Sequence, residues 1–508
     1  MMSGGQNKMK TKLYPAVFTF FMLFCSSCDN PTGGGETPYG GSFPSAPQSR
    51  TFRAVNMEGA YSYYYSLEAE LVYEGEKCTI WEEKGEAANP EIIQNMAITF
   101  DRTIRPRMLN ALNSGEKFYD DDGVTVVAGN PMEYASWLVN GDEKLNILLL
   151  DIRDGYSGSG GYVAGYFSSN DFLMNANSNK CAIIYVDINP GVPGSEQSNG
   201  TLAHEMQHLM NYAIHAAKRQ YRMDTWIDEG LSTASEWIWS EKQSESRINW
   251  YNNDLYHGIE DGNNFFMWNN WGNVLDDYAT AYLFFQWLRL QSGGSTNIYR
   301  KIFNSPDNDY LAVTKAAFFH GIIASESSWE TLIRNWLAAN YINAPAGLYG
   351  YKNDQELISV RPFINRRAGD SATPFPLYPG EGVYTQKTEM PAASAYIKYA
   401  GLPARGSAGV PNDTSAAGSS VLLSYNVDKK IYTGNASDCF PFSRTETILS
   451  AKGDKGENRA IGQASDTLPP ELYPIGMEDM LAFHRGGNNL LNCGYSKFLL
   501  PKEIFSEE

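Results

Sequence analysis

The stretch that decides the fold is Thr201-Leu-Ala-His-Glu-Met-Gln-His-Leu-Met210. It contains the pattern H-E-x-x-H, formed by His204, Glu205 and His208. In an α-helix, side chains four positions apart lie one turn apart on the same face, so the two imidazoles can bind one metal ion. Glu205 can contact a metal-bound water without being a ligand. The stretch therefore predicts a metal site on a buried helix; the alternative is a core helix with two hydrogen-bonded histidines.

A second stretch offers the third ligand. Zinc in a hydrolase is typically bound by three protein side chains, and a fourth position is left for water. The longer pattern H-E-x-x-H-x-x-G-x-x-H is excluded, because Asn211 and Ile214 occupy its glycine and histidine positions. The stretch Trp226-Ile-Asp-Glu-Gly-Leu-Ser-Thr-Ala-Ser-Glu-Trp237 offers Glu229 instead. Glu236, two turns further on, can hold a zinc-binding histidine by its other nitrogen; a solvated helix face is the alternative for both glutamates.

Together these motifs resemble the gluzincin metallopeptidases, and within them the hyicolysin family of secreted bacterial proteases. The resemblance covers about residues 75–345, and the zinc motifs are its most specific part. Upstream of them it includes the segments Asn146–Tyr156, Gly165–Phe167 and Ala182–Pro190.

The resemblance implies one zinc ion per chain, with His204, His208 and Glu229 as its ligands and Glu205 as the catalytic base. In such a site the zinc activates a water, the base accepts its proton, and the water attacks a peptide carbonyl. The chain is therefore expected to be an exported zinc metalloendopeptidase that hydrolyses peptide bonds in proteins.

A tyrosine is expected beside the zinc. The segment Asp276–Leu288 resembles the helix that carries the active-site tyrosine in related gluzincin aminopeptidases, and the match is Tyr278. A phenol there can donate a hydrogen bond to the oxyanion that forms during hydrolysis. Thr280 and Ala281 stand where those enzymes have Lys-Gly. Tyr282, one turn later, is the second choice, and either tyrosine can instead be a core aromatic.

The predicted fold class is α+β, a zincin (gluzincin) domain with a mixed sheet above and a helical lower half, followed by a β-rich C-terminal domain. Before the zinc helix the sequence predicts strands at 67–73, 77–81, 124–128, 145–152, 162–167 and 181–188, and a helix at 90–112. Residues 161–168 are the candidate edge strand for an extended peptide substrate, with an ordinary hairpin as the alternative. Asn199-Gly200-Thr201 is expected to cap the zinc helix.

Composition divides the chain into domains. Residues 51–345 are expected to form the metallopeptidase domain, with helices at 298–303, 310–319 and 328–341 in its lower half. Residues 346–508 are rich in Gly, Pro, Ser and Thr and have short β-like runs at 395–399, 420–426 and 495–500. They are expected to form a separate β-rich domain without chemistry of its own.

The N-terminus predicts export. Three lysines precede an uncharged apolar run at residues 13–25, which is too short to span a membrane. The following Cys25-Ser-Ser-Cys28-Asp29 resembles a bacterial lipoprotein signal, in which removal of residues 1–27 leaves a lipid-modified Cys28. Residues 28–50 then form a flexible tether. The protein is expected at the bacterial cell envelope or surface on a lipid anchor; a plain secretory signal is the alternative.

The formal net charge of −18, from 40 basic and 58 acidic residues, argues against nucleic acid as a partner, since phosphate binding needs a basic patch. The expected partners are protein or peptide substrates and, through the anchor, a membrane. The oligomeric state stays open.

Cysteines and acidic loops add little chemistry. No C-x-x-C pair is formed by Cys78, Cys181, Cys439 and Cys493, which argues against a cysteine zinc site. Their three possible disulfide pairings and the free thiol state stay open. Asp120-Asp-Asp-Gly123 is a candidate calcium loop, although its spacing is not that of an EF-hand.

Two other functions stay open. A surface lipoprotein with a non-catalytic metal site could bind extracellular ligands, but such a protein has no need of Glu205 beside two histidines. An aminopeptidase needs an acidic anchor for the free amine of its substrate, typically in a Gly-x-Met-Glu-Asn loop. Residues 140–200 contain no such motif, which favours an endopeptidase.

Overall fold

The computed structural model describes residues 39–58, 63–112, 144–158, 161–172, 175–219, 222–254, 257–263, 265–268, 274–366, 377, 380–386, 389–428 and 499–501. The strands are β1 (Ser49–Asn56), β2 (Tyr63–Glu74), β3 (Cys78–Glu83), β4 (Leu145–Leu150), β5 (Gly161–Val163), β6 (Gly165–Phe167), β7 (Ile183–Asp187), β8 (Gly382–Thr385), β9 (Ile397–Leu402), β10 (Val421–Asn426) and β11 (Leu499–Pro501). The α-helices are α1 (Pro90–Thr99), α2 (Arg105–Leu112), α3 (Glu196–Asn211), α4 (Thr225–Ser240), α5 (Glu245–Asn253), α6 (Val274–Gln291), α7 (Asn297–Phe303), α8 (Tyr310–Phe319) and α9 (Trp329–Ile342).

A mixed six-stranded sheet occupies the N-terminal half, in the order β1-β2-β3-β4-β7-β6. The pairs β1–β2 and β2–β3 are antiparallel, β3–β4 and β4–β7 are parallel, and β6 runs antiparallel to β7 at the edge. Helices α1 and α2 lie between β3 and β4 in the chain, and α3 to α9 follow β7. The α+β class predicted from the sequence is therefore confirmed.

The central strands follow the apolar pattern of the sequence. All six residues of β4, Leu-Asn-Ile-Leu-Leu-Leu, are buried, as expected for a strand covered on both faces. Strand β2 alternates instead between buried and more exposed positions over most of its length, because only one of its faces contacts the core.

The segment between β3 and the next described strand is helical, but it is not a regular α-helix. Asn89 caps α1 by accepting a hydrogen bond from the backbone N–H of Glu91, and Pro90 occupies the first turn. A π-helical turn at Phe100–Ile104 then joins α1 to α2. Pro106 follows at once, and its missing N–H explains why regular α-helical bonding is interrupted near this point.

The zinc helix predicted from the sequence is α3, and it begins earlier than expected. Ser195 is the N-cap, since its side chain accepts a hydrogen bond from the backbone N–H of Ser198. The prediction that Asn199-Gly200-Thr201 caps the helix is therefore wrong. All three residues lie inside α3 and are buried. Their cap-forming residue types misled the prediction, because tertiary burial overrides local preference.

The predicted strand at 162–167 is two short strands separated by Ala164. Only β6 belongs to the six-stranded sheet, whereas β5 pairs antiparallel with β11. Gly165, the first residue of β6, lies directly against α3. A Cβ atom there would lie 2.5 Å from Cγ2 of Thr201 and 2.8 Å from the carbonyl oxygen of Tyr185. Glycine is therefore required for the edge strand to reach the metal-site helix.

The C-terminal region contributes a three-stranded antiparallel sheet in the order β8-β10-β9. Strands β9 and β10 match predicted runs, and β8 was not predicted. This sheet contacts α9: the hydroxyl of Tyr384 donates a hydrogen bond of 2.7 Å to the carbonyl of Leu337. Arg334 of α9 also forms an ion pair of 2.7 Å with Asp413.

Several predictions concern residues outside the described ranges. They are the signal segment 1–27 with Cys28, the strand at 124–128, the calcium loop Asp120–Gly123, and Cys439 with Cys493. Cys78 and Cys181 are described, and both are buried thiols rather than members of a disulfide. Within the described ranges, no helix combines the length and apolar character that crossing a membrane requires.

Candidate active site

Two neighbouring helices bring the predicted metal ligands together. His204 and His208 come from α3 and Glu229 comes from α4. Oε2 of Glu229 lies 3.5 Å from Nε2 of His204 and 3.4 Å from Nε2 of His208. The three side chains can each present one ligand atom within 4.8 Å of the others. The two helices therefore bring the three side chains into one cluster.

The donor atoms fit a divalent metal ion. Nε2 of His208 and Oε2 of Glu229 are buried and make no well-directed hydrogen bond within the described residues. Buried polar atoms normally have partners, because an unpaired one costs about 1–3 kcal/mol. Two imidazole nitrogens and one carboxylate oxygen form a ligand set that zinc accepts, with one position left for water.

A carboxylate oxygen lies close to the other ring nitrogen of each histidine. Oε1 of Glu236 lies 3.4 Å from Nδ1 of His204. Oδ1 of Asp228, a residue that the sequence motifs did not predict, lies 3.1 Å from Nδ1 of His208. Such contacts fix the ring orientation and raise the basicity of the nitrogen that faces the metal.

Ser232 completes the surroundings of His208. Its hydroxyl lies 3.2 Å from Nδ1 of His208 and donates a hydrogen bond to Oε1 of Gln207. Both Asp228 and Ser232 belong to the stretch that supplied Glu229. Asp228 lies one residue before Glu229 and Ser232 three residues after it, so their closeness to a predicted ligand could have identified them. Only the packing of α4 on α3 shows that both reach His208.

Electrostatics at the site favour a cation. Burial lowers the pKa of His204, but Glu229 and Glu236 outweigh burial and the net pKa is raised. Burial likewise lowers the pKa of His208, and Asp228 and Glu229 raise it well above its ordinary value. Burial raises the pKa of Glu229, yet the two histidines lower it to about 2. The carboxylates thus create a negative potential that a divalent ion can neutralise.

Glu205 lies in the same buried space but outside the ligand cluster. It is fully buried, and neither of its carboxylate oxygens makes a well-directed hydrogen bond within the described part of the chain. Burial raises the pKa of its carboxyl group to about 7. A group with a pKa near neutrality can both accept and return a proton at physiological pH.

The structure distinguishes the two candidate tyrosines. The ring of Tyr278 lies 6.0 Å from the ring of His204, and Trp268 packs edge-on against it at 4.9 Å. The hydroxyl of Tyr282 instead donates to Oε1 of Gln243 at 2.6 Å and accepts from the backbone N–H of Ser244 at 2.8 Å. Tyr282 is therefore a core residue, and only Tyr278 lies beside the cluster.

Arg247 of α5 is a further buried residue at the site, and no sequence motif predicted it. Its Nη2 donates a hydrogen bond of 3.0 Å to Oε1 of Glu236. Burial raises the pKa of Glu236, but the charge of Arg247 lowers it, and the net pKa is below its ordinary value. Helix α5 was not predicted, so no sequence signal connected Arg247 with the motif residues.

The fold and the cluster define an α+β protein with a candidate metal site of two histidines and one glutamate on adjacent helices. The sequence is 31% identical over 322 residues to the neutral metalloprotease ShpI of Staphylococcus hyicus. The aligned region covers 62% of this chain and 67% of that protein. The chain therefore belongs to the metalloprotease family of ShpI. No protein-family model matches the sequence.

Proposed function

We propose that this protein is an exported zinc endopeptidase with a zincin (gluzincin) catalytic fold. The observation that carries the proposal is the convergence of His204, His208 and Glu229 beside the buried carboxylate of Glu205. The relationship to a neutral metalloprotease supports a proteolytic reaction. Export rests on the N-terminal sequence, and lipid attachment at Cys28 is part of the same proposal.

His204, His208 and Glu229 would hold one zinc ion, and Glu236 and Asp228 would fix the two imidazole rings. When bound, zinc supplies Lewis acidity: it lowers the pKa of a water and polarises the substrate carbonyl. Glu205 accepts the proton of the attacking water and returns it to the leaving amine. Its raised pKa suits both steps.

Tyr278 is proposed to stabilise the oxyanion. Burial and the nearby carboxylate of Glu229 raise the pKa of its phenol well above the ordinary value, so the hydroxyl keeps its proton. A neutral hydroxyl can donate a hydrogen bond to negative charge that develops on the carbonyl oxygen.

The edge strand β6 is proposed to bind the substrate. Strand β6 ends the six-stranded sheet, and a Cβ atom added at its Gly165 would lie 3.7 Å from Cγ of Glu205. An extended peptide can add to such an edge through main-chain hydrogen bonds, which do not depend on side-chain identity. An internal segment of a polypeptide can bind in this way, and this supports an endopeptidase rather than an aminopeptidase.

The test compares the wild type with Glu205→Gln in the full chain. We expect one zinc per chain in both, casein cleavage by the wild type, and a loss of at least about 100-fold in the variant, since general base catalysis contributes about 10²–10⁴-fold. Zinc content by mass spectrometry and release of casein peptides measure the two quantities.

Removal of the metal is the complementary measurement. A chelator should abolish cleavage, and added zinc should restore it. Retained activity in Glu205→Gln would exclude the mechanism. Zinc binding without cleavage in the wild type would favour a ligand-binding surface protein, and cleavage of amino-terminal residues alone would identify an aminopeptidase.

A further inference from the structure

Arg247 connects two parts of the proposed active site. The residue is 3% exposed and lies on α5, outside both sequence motifs. Its Nη2 donates a hydrogen bond to Oε1 of Glu236, the oxygen that lies 3.4 Å from Nδ1 of His204. Its Cζ lies 4.8 Å from the centre of the Tyr278 ring. One guanidinium thus contacts both the carboxylate that holds a ligand and the aromatic ring beside that ligand.

We propose that Arg247 is a positioning residue that couples the metal ligand His204 to Tyr278. The inference rests on the proposed function, because it concerns the same metal centre. Arg247 acts through its neighbours: it fixes the carboxylate of Glu236 on one side and the ring of Tyr278 on the other.

The chemistry of arginine suits both contacts at once. Its planar guanidinium can donate to a carboxylate in its own plane while its face packs on an aromatic ring. A lysine ammonium can replace the charge but not the flat stacking surface. The two contacts therefore predict different consequences for the substitutions Arg247→Lys and Arg247→Met.

Zinc affinity is expected to depend on the contact with Glu236. Arg247→Met should weaken zinc binding about 10–100-fold, as is typical when a residue that orients a metal ligand is removed. Arg247→Lys should retain affinity near that of the wild type. In a Glu236→Gln background, Arg247→Met should cause no further loss of zinc affinity. Competition with a fluorescent zinc chelator measures the wild type and the four variants.

Turnover is expected to depend on the contact with Tyr278. With zinc saturating, Arg247→Lys should lower kcat about tenfold and leave KM nearly unchanged. About tenfold is the lower end of the loss in activity that is typical when a residue supporting a metal ligand is changed. In a Tyr278→Phe background the same substitution should have no further effect on kcat. A merely structural role would not produce this separation of kcat from KM or this non-additivity.

Arg289 is the matched control. It is also a buried arginine, with its Cζ 3.6 Å from the centre of the Trp237 ring, but it is not part of the metal cluster. Arg289→Met should change neither zinc affinity nor kcat. Thermal unfolding checks that each variant folds. The variant Glu236→Gln/Arg247→Met guards against misfolding, since it leaves no uncompensated buried carboxylate.

Unchanged zinc affinity in a folded Arg247→Met protein would overturn the inference. Additive losses in the Glu236→Gln or the Tyr278→Phe background would also overturn it, because Arg247 would then act by another route. A wild type that binds zinc but cleaves nothing would instead overturn the proposed function, and the zinc-affinity measurements would still decide the role of Arg247. A wild type that binds no zinc would overturn both.

Discussion

Single residues in the core carry ionisable groups that respond to pH. Asp171 is 2% exposed, and burial raises the pKa of its carboxyl group to about 7 despite hydrogen bonds from Asn179 and Tyr185 that lower it. In the unfolded chain the same group titrates near about 3.9. The folded state therefore binds the proton more tightly, and Asp171 contributes stability below about pH 4 that is lost as the pH rises to about 7.

The substitution Asp171→Asn should remove this pH dependence. The amide oxygen can still accept the hydrogen bonds from Asn179, which donates to Oδ1 of Asp171 from both its backbone and its side chain. We expect the melting temperature of the variant, relative to the wild type, to rise between about pH 4 and pH 7 and to level off above it. The corresponding free energy is a few kcal/mol, at about 1.4 kcal/mol per pKa unit. Parallel melting curves across this range would contradict the prediction.

The residues of the H-E-x-x-H motif were easier to predict than the residues that surround the candidate metal ligands. His204, Glu205 and His208 have a fixed helical spacing, so their relation depends only on local geometry. The prediction of Glu229 needed one further inference, that the third ligand is a carboxylate on a following helix. Asp228 reaches His208, and Arg247 reaches Glu236, only because α4 and α5 pack at particular angles. The periodicity of the sequence does not predict those angles.

At the level of secondary-structure elements, the packing of α4 against α6 explains why the residue after Glu229 is a glycine. A Cβ atom at position 230 would lie 2.1 Å from Cε2 of Phe285, a fully buried residue of α6. Glycine therefore permits the close approach of α4, which carries Glu229, to α6, which carries Tyr278.

Gly230→Ala should separate these helices. Overpacking in a core typically costs about 1–3 kcal/mol, and here it should also weaken zinc binding, because Glu229 is the neighbouring residue. Thermal unfolding and chelator competition measure the two effects. Adding Phe285→Leu to Gly230→Ala should restore part of both, since it makes room for the methyl group.

Gly200→Ala is the control for Gly230→Ala. Gly200 lies inside α3, and the nearest atom to an added Cβ is Nε1 of Trp239 at 3.5 Å, an ordinary contact. This variant should be about 0.5–1 kcal/mol more stable than the wild type, because alanine favours the helix. Equal effects of the two substitutions would show that α4 and α6 can adjust their spacing freely.

Elements with a strong pattern were predictable, and elements without one were not. Strand β4 and helix α8 match their predicted positions closely because their residues are uniformly apolar or helix-forming. Helix α5 and strand β8 were missed. Helix α5 has the sequence Glu-Ser-Arg-Ile-Asn-Trp-Tyr-Asn-Asn, which is polar and shows no clear apolar stripe, so only its tertiary contacts identify it.

On the scale of the whole molecule, the contacts across position 345 bear on the predicted domain boundary. Nε1 of Trp287 donates a hydrogen bond of 3.0 Å to the carbonyl of Leu348, and Tyr384 donates to the carbonyl of Leu337. A Cβ atom at Gly380 would lie 2.0 Å from the ring of Phe266, so the two regions also pack tightly. The amino-acid composition changes after Pro345, but these contacts join residues on the two sides of that position.

A chain of residues 39–345 should therefore be much less stable than a chain of residues 39–428. Truncation removes the partners of several buried polar groups at about 1–3 kcal/mol each, and a typical domain is stable by only about 5–15 kcal/mol. We expect the longer chain to unfold cooperatively and bind zinc, and the shorter chain to bind a hydrophobic dye and lack a sharp thermal transition. Equal melting temperatures would show that residues 346–428 fold independently, as composition predicted. The two chains therefore test whether the change of composition after Pro345 marks a domain boundary. The buried contacts at Trp287, Leu337 and Phe266 indicate that the two regions fold together.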